Sequence, residues 1–361
     1  MKMKIKSFLV AVAVLAATMI SLSSCQQDED VNNNYVKYQS AVDAQVKAQK
    51  KHDKVILLVA FGSTWNNAFL AFDSTKAAYE KAFPDCDVYV SYSSAICINR
   101  AAAGENTDDK GNIVKRNYYA PNFWLHAFAT AKYADITVQS LQVIPGEEYS
   151  RVINYIKDFA NNHLGDLDDE YLSKLDGHLW LGTPLLNNTD DVANVARILN
   201  DAYKSQASKG VVAFMGHGNP DSYDTYKANI RYTQLELALQ VYNKNYFVGT
   251  VDMPDNYKQD VLARMQEAGI TSGTMNLYPL MSICGDHGHN DMAGEGEEYW
   301  DASDEESEDN SWFEFFSHKG YQPTSNLFGL LEVDAIRQVW INHTKNPVEL
   351  EDYYHSMYPE E

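Results

Sequence analysis

Three stretches of this chain end in side chains that could bind a metal or move a proton. Residues 277–283 form an apolar run that breaks at Cys284-Gly285 into Asp286, His287, His289, Asn290 and Asp291. Residues 210–215 form a second run, ending in Gly216-His217-Gly218, and residues 246–251 a third, ending at Asp252. Two neutral imidazoles and one carboxylate, here His217, His287 and Asp252, can hold a divalent transition metal with a position left open. Imidazoles that titrate near pH 6.5 can also accept protons from a ligand at neutral pH. Any one of these histidines alone reads more simply as a loop or capping residue. The functional reading gains because all three fall at equivalent positions. Gly216 and Gly218 flank His217 and would let a ligand approach closely. His289 lies two residues beyond His287, so it joins as an extra ligand if the segment is extended but not if it is helical.

What must position these groups is a set of buried strands. A short apolar run bounded by Gly reads as a strand, and ligands of open α/β sheets bind at the carboxyl ends of parallel strands. Strands are expected at 54–61, 87–91, 136–141 and 178–182, then again at 210–215, 246–251 and 277–283. Amphipathic segments at 67–83, 123–133, 147–159, 192–203, 232–242 and 257–268 alternate with them. This order, run through twice, implies an α/β fold of two similar Rossmann-like lobes with parallel sheets and a cleft between the lobes. Ser63 and Thr64 follow the first strand, and Ser93 and Ser94 the second. They could bind anionic groups of a ligand, although turn chemistry explains them equally well. Glu147 and Glu148 suit the first turn of the helix they open.

The ends of the chain carry different signals. Lys2, Lys4 and Lys6 precede an uncharged apolar run over 8–20, and Leu22-Ser23-Ser24-Cys25 resembles a bacterial lipobox. Residues 1–24 therefore read as a lipoprotein signal peptide with Cys25 as the lipidated residue; the apolar run is short for a spanning helix. Residues 25–53 are expected to be a tether, partly helical over 41–50. The first lobe is assigned to 54–190 and the second to 191–332, with an acidic insert at 295–310; a C-terminal helix and acidic tail occupy 333–361. The protein is expected to be exported and lipid-anchored, on the periplasmic or outer-membrane face or at the cell surface, touching the membrane through that anchor only. The formal net charge of −21 argues against a nucleic-acid partner. Without Cys25, Cys86, Cys97 and Cys284 remain. An odd number is no disulfide framework, though one bridge is allowed. Homo-oligomer formation is left open.

Several segments together resemble the anaerobic sirohydrochlorin cobaltochelatases, class II tetrapyrrole chelatases related to ferrochelatase. They are V-I-L-L-V-A-F-G-S-T from Val55, Gln139-Ser140-Leu141 with Gly146-Glu147-Glu148-Tyr149, Phe214-Met215-Gly216-His217-Gly218, Gly249-Thr250-Val251-Asp252, and Gly285-Asp286-His287 with Asn290-Asp291-Met292-Ala293. The resemblance implies a chelatase-like two-lobe fold with a tetrapyrrole in the cleft. It implies metal insertion in which His217 and His287 bind the metal and accept pyrrole protons, aided by Asp252. Co2+ is the first expectation for the metal, with Ni2+, Fe2+ or Zn2+ also admitted. Ser63, Thr64, Ser93 and Ser94 would then bind the ring's carboxylates. Asp252 stands where the family usually has Glu, and Gln142 where many relatives have His. Those departures support an alternative, a non-catalytic haem-, tetrapyrrole- or metal-binding lipoprotein on the same fold.

Overall fold

The computed structural model describes residues 35–104, 110–295, 300, 301, 303, 304, 307 and 310–349. Cys25, the expected signal peptide, much of the acidic insert and the tail after residue 349 lie outside the described residues.

The segment Val55-Ile56-Leu57-Leu58-Val59-Ala60 is almost wholly shielded from solvent, as an uninterrupted apolar strand must be when helices cover both faces of its sheet. It belongs to β1 (Lys54–Ala60), which lies between β2 (Cys86–Tyr92) and β3 (Asp135–Ser140). Beyond β3 come β4 (Leu179–Gly182) and a short antiparallel edge, β9 (Val348–Glu349). The other four strands are parallel. The second sheet repeats the plan: β5 (Val211–Gly216) lies between β6 (Tyr246–Thr250) and β7 (Gly273–Pro279), and β8 (Tyr321–Ser325) pairs with β7, all parallel. In each sheet the order reverses between the first strand and the third. That reversal opens a crevice at the carboxyl edge, where ligands of such sheets bind. The two-lobe parallel α/β architecture expected from the sequence is therefore present.

Period-two alternation divides the second sheet between two cores. Val212 and Phe214 of β5 face a core that runs continuously into the first lobe. Val211, Ala213 and Met215 face a separate one containing Met265, Trp312 and Phe316. The connection between lobes is α7 (Thr189–Ala207), started by a capping box in which Asn188 and Asp191 satisfy each other's backbone N–H groups. The helix α11 (Asp334–Lys345) returns to the first lobe as expected. Its Trp340 is fully buried, and Thr344 Oγ1 donates to Gln139 Oε1 at 2.7 Å.

Some expectations need correcting. The described part of the supposed tether is the helix α1 (Tyr35–Gln49), whose Val42 and Val46 are buried in the first-lobe core. Gln39 Nε2 donates to Phe123 O in α4 (Pro121–Thr130) at 3.1 Å. The last strand begins and ends earlier than 277–283: β7 stops at Pro279. Leu280 N still reaches Met215 O at 2.7 Å, and Met281 and Ser282 then turn to accept from Leu330 and Leu331. Two α-helices and two strands were not anticipated: α3 (Ala95–Ala103), α6 (Asp169–Lys174), β8 and β9. Cys86, Cys97 and Cys284 are all free thiols, so the allowed bridge does not form among them.

Candidate active site in the interlobe cleft

The loops after β1, β3, β5 and β7 meet at the switch points of the two sheets and enclose a cleft of about 360 Å³, within the range of small-molecule sites. The first lobe contributes Ser63, Thr64, Ser94, Gln142 and Glu148, and the second contributes His217, His287 and Asp291.

His217 leaves the end of β5 on a turn that only glycine can complete. Gly218 has φ +80°, and a Cβ there would lie 2.7 Å from Met253 N. A Cβ at Gly216 would lie 2.4 Å from the Tyr232 ring. These glycines therefore make room for the protein's own packing, not for ligand approach as the sequence suggested. The backbone N–H of Asp252 donates to His217 O at 2.8 Å. This brings Asp252 Oδ2 within 3.7 Å of His217 Nε2. His217 Nδ1 lies 2.7 Å from Gly218 O. A carbonyl only accepts, so Nδ1 carries the proton and Nε2 keeps its lone pair.

His287 begins a π-helical turn, His287–Met292, a local widening common at functional sites. The turn puts Asp291 beside His287, with Oδ2 at 2.5 Å from Nδ1. Again Nδ1 is occupied and Nε2 is left available, the arrangement by which metal-binding histidines are oriented. The His217 and His287 rings are 4.8 Å apart at 79°. Burial pulls the proton affinity of His287 down, but the Asp291 hydrogen bond and the charges of Asp291, Asp252 and Glu148 outweigh it, and the pKa is raised. The Glu148 carboxyl is raised too, because loss of water outweighs the opposing pull of His217, His287 and Arg151.

The structure thus brings His217, His287 and Asp252 together, with Asp252 behind His217 and outside the cleft lining. Among the described residues, no group of three or more His, Cys, Asp or Glu side chains stands ready to enclose a metal. Ser63, Thr64 and Ser94 line the cleft, and Ser93 does not. Ser63 Oγ accepts from Trp65 N at 3.1 Å, and Ser94 Oγ caps α3 through Cys97 N at 3.3 Å. His289 is excluded from the site by the helical turn. Its ring stacks on Trp65 of the first lobe at 3.5 Å and 1°, and its Nδ1 is 2.6 Å from Glu295 Oε2. Trp65 Nε1 also donates to Asp286 Oδ1 at 2.5 Å. On the other side of the cleft the lobes close against each other where Glu147 N donates to Asn219 Oδ1 at 3.0 Å. Glu148 was missed as a site residue. Its only signal was the Gly-Glu-Glu-Tyr segment, which also fits an ordinary helix start.

Comparison with known proteins agrees with this geometry. The profile of the cobalt chelatase (CbiK) family matches residues 54–349. A sirohydrochlorin cobaltochelatase of Salmonella typhimurium LT2 is 26% identical over 296 residues, covering 80% of this chain and 94% of that protein. The sirohydrochlorin cobaltochelatase CbiKC of Nitratidesulfovibrio vulgaris Hildenborough is also 26% identical over 296 residues, covering 80% of this chain and 89% of its own length. The solved structure of SirB from Bacillus subtilis with Fe3+ superposes with a TM-score of 0.50 at 12% identity, covering 81% of this chain and 94% of that one, and shares the fold. With a family match that takes in both lobes and every residue of the cleft, the chain belongs to the cobalt chelatase (CbiK) family of enzymes.

Proposed function

We propose that the protein inserts a divalent metal, Co2+ first among candidates, into sirohydrochlorin or a related tetrapyrrole held between the lobes. The observation that carries this is the pairing of His217 and His287 on the second-lobe wall of the cleft, each with Nδ1 engaged so that Nε2 keeps its lone pair. Insertion replaces two macrocycle N–H protons with one M2+, so the site must present the metal and remove two protons. The two Nε2 atoms serve as metal ligands before transfer and as proton acceptors after it. Glu148, with its raised proton affinity, is a third acceptor on the facing wall. A ligand set that does not close around a metal suits a substrate ion, which has to be given up. A cleft that favours a ring bent out of plane accelerates the step, because only interactions stronger in the transition state raise the rate.

Metal-free protein mixed with sirohydrochlorin and Co2+ tests the reading by absorbance. Turnover well beyond one equivalent supports it, and Ni2+, Fe2+ and Zn2+ in parallel rank the metals. A stoichiometric spectral shift without turnover supports the alternative, a tetrapyrrole- or metal-binding protein, which the position of Asp252 outside the cleft lining favours. No spectral change with any metal or ring overturns both.

We also propose export with a lipid anchor at Cys25. The basic start, apolar run and Leu-Ser-Ser-Cys ending all precede the family match, which begins at residue 54. Among the described residues no helix is long and apolar enough to cross a membrane. Cys25→Ala should release the protein into the soluble fraction; an unchanged membrane fraction overturns the assignment.

A further inference from the structure

Gln142 lies just past β3, at the switch point of the first sheet, and lines the cleft. It is only 6% exposed. Its backbone is held at both ends: the N–H donates to Ser140 Oγ at 3.3 Å, and the carbonyl accepts from Leu185 N at 3.1 Å. The Ser140 hydroxyl also donates to the side-chain Oε1. What remains is Nε2, a buried donor with no partner. Such a donor costs folding stability and normally finds an acceptor. Here the acceptor has to come from what fills the cleft.

The charge of the cleft indicates what that acceptor is. Arg100 is the one Lys or Arg among the lining residues, in a chain of net charge −21. A multiply anionic ring entering such a cleft needs neutral donors. An amide supplies a donor that neither takes a proton at neutral pH nor competes with the imidazoles for the metal. We propose that Gln142 is a specificity-determining residue whose amide N–H donates to a peripheral carboxylate of the bound macrocycle. This rests on the tetrapyrrole reading above and deepens it.

Tryptophan fluorescence quenching reports binding to metal-free protein of sirohydrochlorin and of its methyl ester, for wild type, Gln142→Met and Gln142→Glu, each confirmed folded by its melting curve. Wild type is expected to prefer the free acid. Gln142→Met weakens free-acid binding about tenfold and leaves ester binding nearly unchanged, so the preference shrinks. Gln142→Glu places a carboxylate against a carboxylate and inverts the preference toward the ester. Equal losses for acid and ester point to packing alone and overturn the proposal, as does free-acid affinity unchanged in both variants. If wild type binds neither compound, the tetrapyrrole reading itself falls and this inference with it; binding without discrimination among variants removes only the inference.

Discussion

The two lobes share a strand order and place their first loops at the same topological position, yet those loops carry different chemistry. β1 leads into Gly62-Ser63-Thr64, and β5 ends at Gly216 and leads into His217-Gly218. In the first lobe the hydroxyls are engaged locally, Ser63 with Trp65 N. In the second, His217 and His287 both line the cleft, and each has its Nδ1 engaged, by Gly218 O and by Asp291 Oδ2. Topology thus fixes where a ligand sits, while under the proposed function the side chains divide the labour: one wall would recognise the ring, and the other would handle metal and protons. The sharpest way to break this division is to exchange the losses. His217→Ala and His287→Ala should each lower the chelation rate at least about 100-fold and abolish Co2+ binding, with the fold intact by circular dichroism. Ser63→Ala and Thr64→Ala should cost less than about tenfold and act on KM, since each deletes at most one hydrogen bond to substrate. Equal losses on both walls would erase the distinction.

Glu148 tests whether the division is strict. It stands on the recognition wall, yet its charge and those of the two histidines influence one another. Glu148→Gln keeps the shape and removes the charge. The expected result is a fall in kcat of roughly 10–100-fold, the scale of groups that tune a metal ligand from outside, with KM for the macrocycle little changed. A change confined to KM would return Glu148 to recognition.

The sequence was most legible where physics is periodic and local. The run from Val55 to Ala60 could only be a strand covered on both faces, and three strand ends carry imidazoles or a carboxylate, which points to the cleft from the sequence alone. It was least legible where a residue's role depends on a distant partner. His289 has the spacing of a ligand in an extended chain, and only the π-helical turn takes its ring out of the cleft lining and onto Trp65 of the other lobe. Gly216 and Gly218 looked like space for a ligand because Tyr232 and Met253, the groups they accommodate, lie 16 and 35 residues away in the chain. Glu148 could not be told from a helix-start carboxylate, since its shift arises from burial opposite residues of the second lobe. The β8 and β9 edges lack apolar runs, as short partly exposed strands do.

Contacts that join the lobes should matter less than the site itself. Trp65 stacks on His289 and donates to Asp286, the two residues flanking the segment that carries His287. Trp65→Ala should lower stability by about 2–4 kcal/mol in urea unfolding and reduce kcat severalfold, because His287 loses its support from the first lobe. Trp65→Phe keeps a stacking ring but no N–H, so it should restore most of the stability while Asp286 keeps only its ion pair with Arg100 at 4.0 Å. If Trp65→Ala altered stability alone, the stack would be a fastener between lobes with no bearing on His287.

The smallest expected effect separates the lobes by a thiol. Burial pushes the Cys97 thiol up to about 11 and the Cys284 thiol up to about 12. The thiolate is the reactive form, so at pH 7.5 fewer than about one Cys97 in a thousand is reactive. Alkylation by iodoacetamide should be slow at neutral pH and rise about tenfold per pH unit as pH climbs toward the thiol's pKa. Among the described cysteines only Cys97 lines the cleft; Cys284 is buried within the segment that leads to His287. Saturating macrocycle should therefore slow alkylation of Cys97 further and leave the low reactivity of Cys284 as it was, read by mass spectrometry of the peptides. Protection of both thiols would mean that ligand binding tightens the second lobe as a whole, and the recognition wall would then no longer be confined to the first.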